Sequence, residues 1–253
     1  MNKNDHATIS TKQTLNAILE ADAVPRIIWC FWYDGSMNEN RTRSFELMKS
    51  YMDVPVCLIT KANIHEFIHP EYPLHQAFNY LSDVHKSDYL RIYLLHLYGG
   101  GWHDIKPTKI SYKSVWSEFD NPEVYFVGKP EIKDGPAKIY DTNGLWMPKY
   151  WNDLVATNRW VGRPNTPLTQ EMFREVNLLL DENLKELKKN PARHPYDKKR
   201  NRIKRWFRFE TNNYPLEWTV FGNIFHPLNY KYRQNIKRTL PSDITENLGL
   251  PYR

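Results

Sequence analysis

Apolar and polar positions fall into two alternating patterns along this chain. Residues 24–33, VPRIIWCFWY, form a nearly continuous apolar run closed by Asp34-Gly35, and 54–60, VPVCLIT, form a second. Unbroken apolar runs of this length bounded by turn residues predict buried central strands. Between and around them the spacing is helical. Residues 11–22 place Leu15, Ile18 and Leu19 on one side, 41–51 read as a helix, and 63–68 as a short one before a proline-bounded loop at 69–73. The pattern over 75–98 is helical again, with a break expected at Ser82 or Ser87, either of which can cap a helix. Gly99, Gly100 and Gly101 then stop it, and Trp102 to Ile105 read as a strand-like exit before Pro107. Further on, 178–189 form a charged amphipathic helix, Pro191 and Pro195 bracket a loop, and 214–228 form an aromatic-rich run. Strand, helix, strand, helix, glycine turn, strand is the order of a nucleotide-binding α/β sandwich. One domain is expected over 1–253, with a helical segment in 1–23 and a basic loop or surface segment in 190–213.

The chemistry concentrates between Ser87 and Pro107, SDYLRIYLLHLYGGGWHDIKP. Residues three apart are neighbours on a helix, so Asp88 and Arg91 share a face, either as a plain ion pair or as a polar site. Asp104 follows a strand, in a glycine-rich neighbourhood where a ligand can approach the backbone. The first strand of an open α/β sheet commonly delivers its C-terminal loop to a ligand, so Trp29 or Trp32 is expected either to stack on a base or to lie in the core. Neither a G-x-G-x-x-G fingerprint nor a G-x-x-x-x-G-K-[ST] loop is present.

Composition adds a partner class. The formal net charge is +6, which favours an anionic ligand or surface. Residues 197–208, DKKRNRIKRWFR, interleave cations with Ile203, Trp206 and Phe207, as a solvated face or as a segment for an anionic membrane surface. Nucleic acid is not the expected partner, because no zinc, KH or RRM motif accompanies the basic run. Cys30 and Cys57 both lie in apolar runs, so a reducing compartment and buried thiols are expected. With no signal-like start and no run near 20 apolar residues, the expected location is cytoplasmic, or peripheral at the inner membrane surface.

The central stretch resembles the signature of glycosyltransferases with a DXD-containing sugar-binding region, a group including α-mannosyltransferases, large glucosylating toxins and capsular polysaccharide synthesis proteins. Their pattern, S-D-x-x-R followed by Y-G-G-x-[YW]-x-D-x-D, stands here as Ser87-Asp88-Tyr89-Leu90-Arg91 and Tyr98-Gly99-Gly100-Gly101-Trp102-His103-Asp104-Ile105-Lys106. The resemblance extends over roughly 24–176 and implies a GT-A-like fold, a single mixed central sheet flanked by helices. It implies sugar transfer from a nucleotide-sugar donor to a glycan, polysaccharide or lipid-linked acceptor, with retention of configuration. Carried over by position, Asp88 and Arg91 meet the donor sugar, Gly99, Gly100 and Gly101 its backbone-lined surroundings, and Trp29 the base. Asp104 contacts the ribose or the sugar-metal region. By analogy with a C-terminal loop that folds over the donor, Trp218 and His226 are donor-site candidates, and Asn152 and Asp153 lie where an acceptor is met. The departure is Lys106, where the family's second Asp would hold a divalent cation. Either the ammonium meets the diphosphate and the enzyme is metal-independent, or Asp104 binds Mn2+ or Mg2+ with His226 or water. A third outcome is a non-catalytic nucleotide-sugar or glycan-binding protein.

Overall fold

The computed structural model describes residues 12–33, 35–199 and 213–242. Most of the basic run 197–208, and Asp34 of the expected turn, lie outside them. Five α-helices and six strands are described: α1 Lys12–Ala21, β1 Ile28–Phe31, α2 Glu39–Tyr51, β2 Val56–Ile59, α3 Asp83–Leu97, β3 Gly100–His103, β4 Phe126–Pro130, β5 Val155–Gly162, α4 Pro167–Lys189, α5 Val220–Lys231 and β6 Ile236–Lys237. They build one mixed sheet of order β2-β1-β3-β5-β4-β6 with helices on both faces. The first three strands are parallel, and β5 runs antiparallel to both β3 and β4.

Strand alternation sorts the first apolar run onto two cores. Ile27 and Trp29 pack with α3, α4 and α5, whereas Ile28 and Cys30 face α2 and the 3-10 segment Lys113–Asp120. Both thiols are buried and unbridged, and burial pushes that of Cys57 up to about 12. Helix α3 is buried over most of its surface, with His85, Lys86, Arg91 and His96 among its buried residues, and sits between the sheet and α4. Its start is set by Ser82, whose hydroxyl accepts from the His85 N–H, so the break falls at Ser82 and Ser87 lies within the helix. Its end is set by Gly99, whose positive φ of 73° lets its N–H reach back to the Leu94 carbonyl at 3.1 Å.

The glycines do more than stop that helix. Gly100 and Gly101 are the first residues of β3, where the backbone presses against β1: a Cβ on Gly100 would stand 2.8 Å from Ile27 Cγ2, and one on Gly101 2.4 Å from Ile28 Cδ1. Among the described residues no helix is long and apolar enough to cross a membrane.

Candidate functional site

A cleft of about 440 Å³ opens at the carboxyl ends of β1 and β3, where open α/β sheets bind ligands. Asp88, Arg91, Asp104, Lys106, Trp218 and His226 all line it. Its centre is Arg91, only 6% exposed, with its guanidinium between the Trp102 ring (5.2 Å) and the Phe221 ring (4.9 Å). Nη1 donates to the Thr157 carbonyl at 2.6 Å, and Nη2 lies 3.1 Å from Asp88 Oδ1 and 3.4 Å from Asp104 Oδ1. One buried cation thus holds two carboxylates from different elements, a geometry that removing the arginine would leave as uncompensated charge. Its Nε–H finds no acceptor.

The turn after β3 positions the second carboxylate. The Asp104 N–H donates to the Asn158 carbonyl, prolonging the β3–β5 ladder, and Arg41 of α2 donates to the Ile105 carbonyl from beneath. Trp102 Nε1 donates to Asp104 Oδ1 at 3.0 Å, and Lys106 Nζ stands 3.9 Å from Oδ2. Burial by itself would raise the Asp104 carboxyl, but Arg91, Lys106 and the Trp102 N–H hold it below its ordinary value. Asp88 goes the other way. Burial lifts it to about 6 against the pull of Arg91, with the Asp104 charge adding to the rise.

These contacts bear on the cation. Asp104 already faces two basic side chains, and among the described residues no group of three or more His, Cys, Asp or Glu side chains is placed to hold a metal. His226 does not pair with Asp104: its Nδ1 accepts from the Ala137 N–H at 3.0 Å, which puts the ring proton on Nε2, 3.3 Å from Glu131 Oε2. At 2% exposure it ties the 131–137 loop to α5, and neither nitrogen is left for a ligand. A divalent cation here would have to share Asp88 and Asp104 with Arg91 and Lys106.

The remaining expected residues lie elsewhere. Trp29 is 0% exposed, donates from Nε1 to the Gly99 carbonyl and packs on Phe67 and Tyr98. A mid-strand side chain points into a helix layer, whereas Phe31 at the strand's last position and Trp32 just past it line the cleft. Gly99, Gly100 and Gly101 are packed against Pro164, Ile27 and Ile28 and do not line the cleft. Asn152 and Asp153 are exposed in the 3-10 segment Met147–Asp153, away from the lining residues. Sequence reasoning missed Arg41, Thr157 and Tyr196 as lining residues. Thr157 acts through a backbone carbonyl, which carries no sequence signal, and Arg41 was legible only as one charge on a predicted helix.

The chain is similar in structure to PaToxG glycosyltransferase, with a TM-score of 0.34 and 12% identity over 70% of this chain and 68% of that one. No curated protein matches. The family model described as capsular polysaccharide synthesis protein matches residues 2–138, more than half of the chain, taking in Asp88, Arg91, Asp104 and Lys106. The chain belongs to the capsular polysaccharide synthesis protein family.

Proposed function

We propose that this protein is a glycosyltransferase that moves a sugar from a nucleotide-sugar donor to a glycan or lipid-linked acceptor, with the diphosphate held by side chains instead of a metal ion. The observation that carries the reading is the Asp88–Arg91–Asp104–Lys106 constellation at the carboxyl ends of parallel strands. Carboxylates there accept from sugar hydroxyls, while the cations face the developing charge of the leaving group. Lys106 is the mobile cation. Arg91 is fixed by two rings and a carbonyl, whereas the Lys106 side chain is 29% exposed and only 3.9 Å from its carboxylate, within reach of a diphosphate oxygen.

In the reaction the bond from the sugar C1 to the diphosphate oxygen breaks, and its electron pair leaves with the diphosphate. The acceptor hydroxyl oxygen bonds to C1 from the same face, and its proton passes to the departing phosphate oxygen. That course gives the retention the family resemblance implies, and it asks no carboxylate to act as nucleophile. Those of Asp88 and Asp104 are bound to Arg91. Lys106 stabilises charge that exists only as the bond breaks, so its effect falls on turnover.

The test is a set of nucleotide sugars screened for thermal stabilisation, then for transfer and hydrolysis, all under excess chelator. A donor at about 100 times its Kd adds ~2.7 kcal/mol to stability. One nucleotide class is expected to raise Tm and to turn over with chelator present, and Lys106→Ala is expected to lower turnover by roughly 10²- to 10³-fold. Activity abolished by chelator and restored by Mn2+ or Mg2+ would overturn the metal-free reading. Tm shifts with no turnover would leave a binding protein, and no response to any donor would remove the function.

A further inference from the structure

We propose that Trp218, backed by Tyr196 and flanked by Lys198, is the acceptor subsite of the cleft, and that it takes a sugar carrying a negative charge. The inference rests on the glycosyltransferase reading and adds which substrate lies on which side.

The cleft has two aromatic walls that arrive from different parts of the fold. Phe31 and Trp32 leave the end of β1, whereas Tyr196 and Trp218 belong to the chain on either side of residues 200–212, just before α5. The first wall is continuous with the sheet, whereas the second is held on the start of α3, where the Val84 N–H donates to the Pro195 carbonyl and His85 Nε2 lies 2.9 Å from the Glu217 carbonyl. The β1 wall opens through Trp32 into a second groove of about 490 Å³ lined by Tyr33, Met37, Leu58 and Lys61 at the ends of β1 and β2. That groove gives the nucleoside of the donor its place and leaves the Trp218 wall to the other substrate.

Trp218 is built as a platform. It is 45% exposed although it lines a cleft, and Tyr196 stacks on it with ring centroids 6.4 Å apart and planes 23° from parallel. The Lys199 N–H donates to the Leu216 carbonyl at 2.6 Å, fixing the two flanking segments together beside the ring. A flat, supported indole at the edge of a polar cleft offers its face to the C–H face of a pyranose, since aromatic side chains combine large apolar area with a polar edge. Charge narrows the class. Lys198 Nζ lies 4.9 Å from the Trp218 ring centroid, and no described carboxylate is within ion-pair distance of it, whereas the adjacent Lys199 is matched by Glu217 at 3.7 Å. An ammonium held over the platform without a carboxylate of its own fits a uronate on the acceptor.

The experiment uses the whole chain and three probes: a hexagalacturonate, a hyaluronan hexasaccharide and neutral maltohexaose, titrated by tryptophan fluorescence and by saturation-transfer NMR. At least one acidic hexamer is expected to bind wild type more tightly than maltohexaose. Trp218→Ala is expected to weaken that binding about tenfold or more, the scale of one lost stacking contact. Lys198→Gln is expected to erase the preference for the acidic hexamer while keeping the response to the neutral one. Acidic binding unchanged in Trp218→Ala, or maltohexaose binding as well as both acidic hexamers, would overturn the subsite. Thermal response of wild type to nucleotide sugars is measured in parallel. Donor response without any oligosaccharide response sinks the subsite alone, and no donor response sinks the reading beneath it.

Discussion

At the scale of single residues, the cleft holds two carboxyls in contact with one guanidinium and pushed in opposite directions. Asp88 titrates near about 6 in the folded protein because burial disfavours its charge more than Arg91 favours it. The folded state keeps a proton that the unfolded chain releases from an ordinary Asp, so the stability tied to that proton is lost as pH rises through about 6. Asp88→Asn, which imitates the protonated form, is therefore expected to raise Tm above wild type at pH 7.5, with the gap closing as pH falls towards 4. Calorimetry across that range checks it, and an Asp88→Asn variant that melts below wild type at pH 7.5 would show the Arg91 pair outweighing burial. Asp104, depressed by Arg91 and Lys106, contributes in the other sense, with its stability lost as pH falls. The pairing itself was legible in sequence, because three-residue spacing on a helix fixes Asp88 against Arg91. The choice between Trp29 and Trp32 was not. A continuous apolar strand does not say where it ends, and it is the residues at its end, Phe31 and Trp32, that enter the crevice. The partners of His226 were not legible for a related reason: a lone histidine carries no mark of whether a backbone N–H will occupy its nitrogen.

Among the elements, the β1–β3 contact shows how closely the fold is built around small residues. Order and type were readable for β1, β2, α2, α3 and the exit strand, since each has its own apolar period. The glycines were read as a helix stop and as the surroundings of a ligand; Gly99 does end α3, while Gly100 and Gly101 pack against β1, since a missing side chain suits either a ligand or another strand. Gly100 has φ 87°, and its missing Cβ faces both the side chain and the carbonyl of Ile27. Gly100→Ala therefore meets left-handed backbone strain and a backbone oxygen that cannot step aside, and a loss of ~1–3 kcal/mol is expected. Denaturant melts read it directly, and a change below a few tenths would mean that β3 can slide away from β1. The 3-10 segments were least legible, since one or two turns without a period leave almost no pattern to read.

Over the whole molecule, the cleft depends on chain beyond the region that carries the family match. Residues 2–138 contain the carboxylates and both cations of the centre, but β5 supplies the antiparallel partner of β3 and the carbonyl that holds Arg91. A fragment ending at 138 leaves Trp102 without its Trp160 neighbour and β4 without its main partner, so it is expected to lack cooperative melting and near-ultraviolet dichroism. A sharp transition in that fragment would show the first three strands to be self-sufficient. The same dependence gives synthesis on the ribosome a temporal order. Arg91 and Thr157 are 66 positions apart, which at 5–20 residues per second is a delay of roughly 3–13 s. During that interval α3 can pack on β1 and β3, but it has neither α4 to cover its outer side nor the β5 carbonyl that holds Arg91. The helix bearing the cleft's guanidinium is thus half-covered while the chain is made, and its Tyr93 and His96 side, which Phe173 of α4 covers in the folded protein, is open to a holding chaperone. Slowing translation between 100 and 160 would lengthen that exposure.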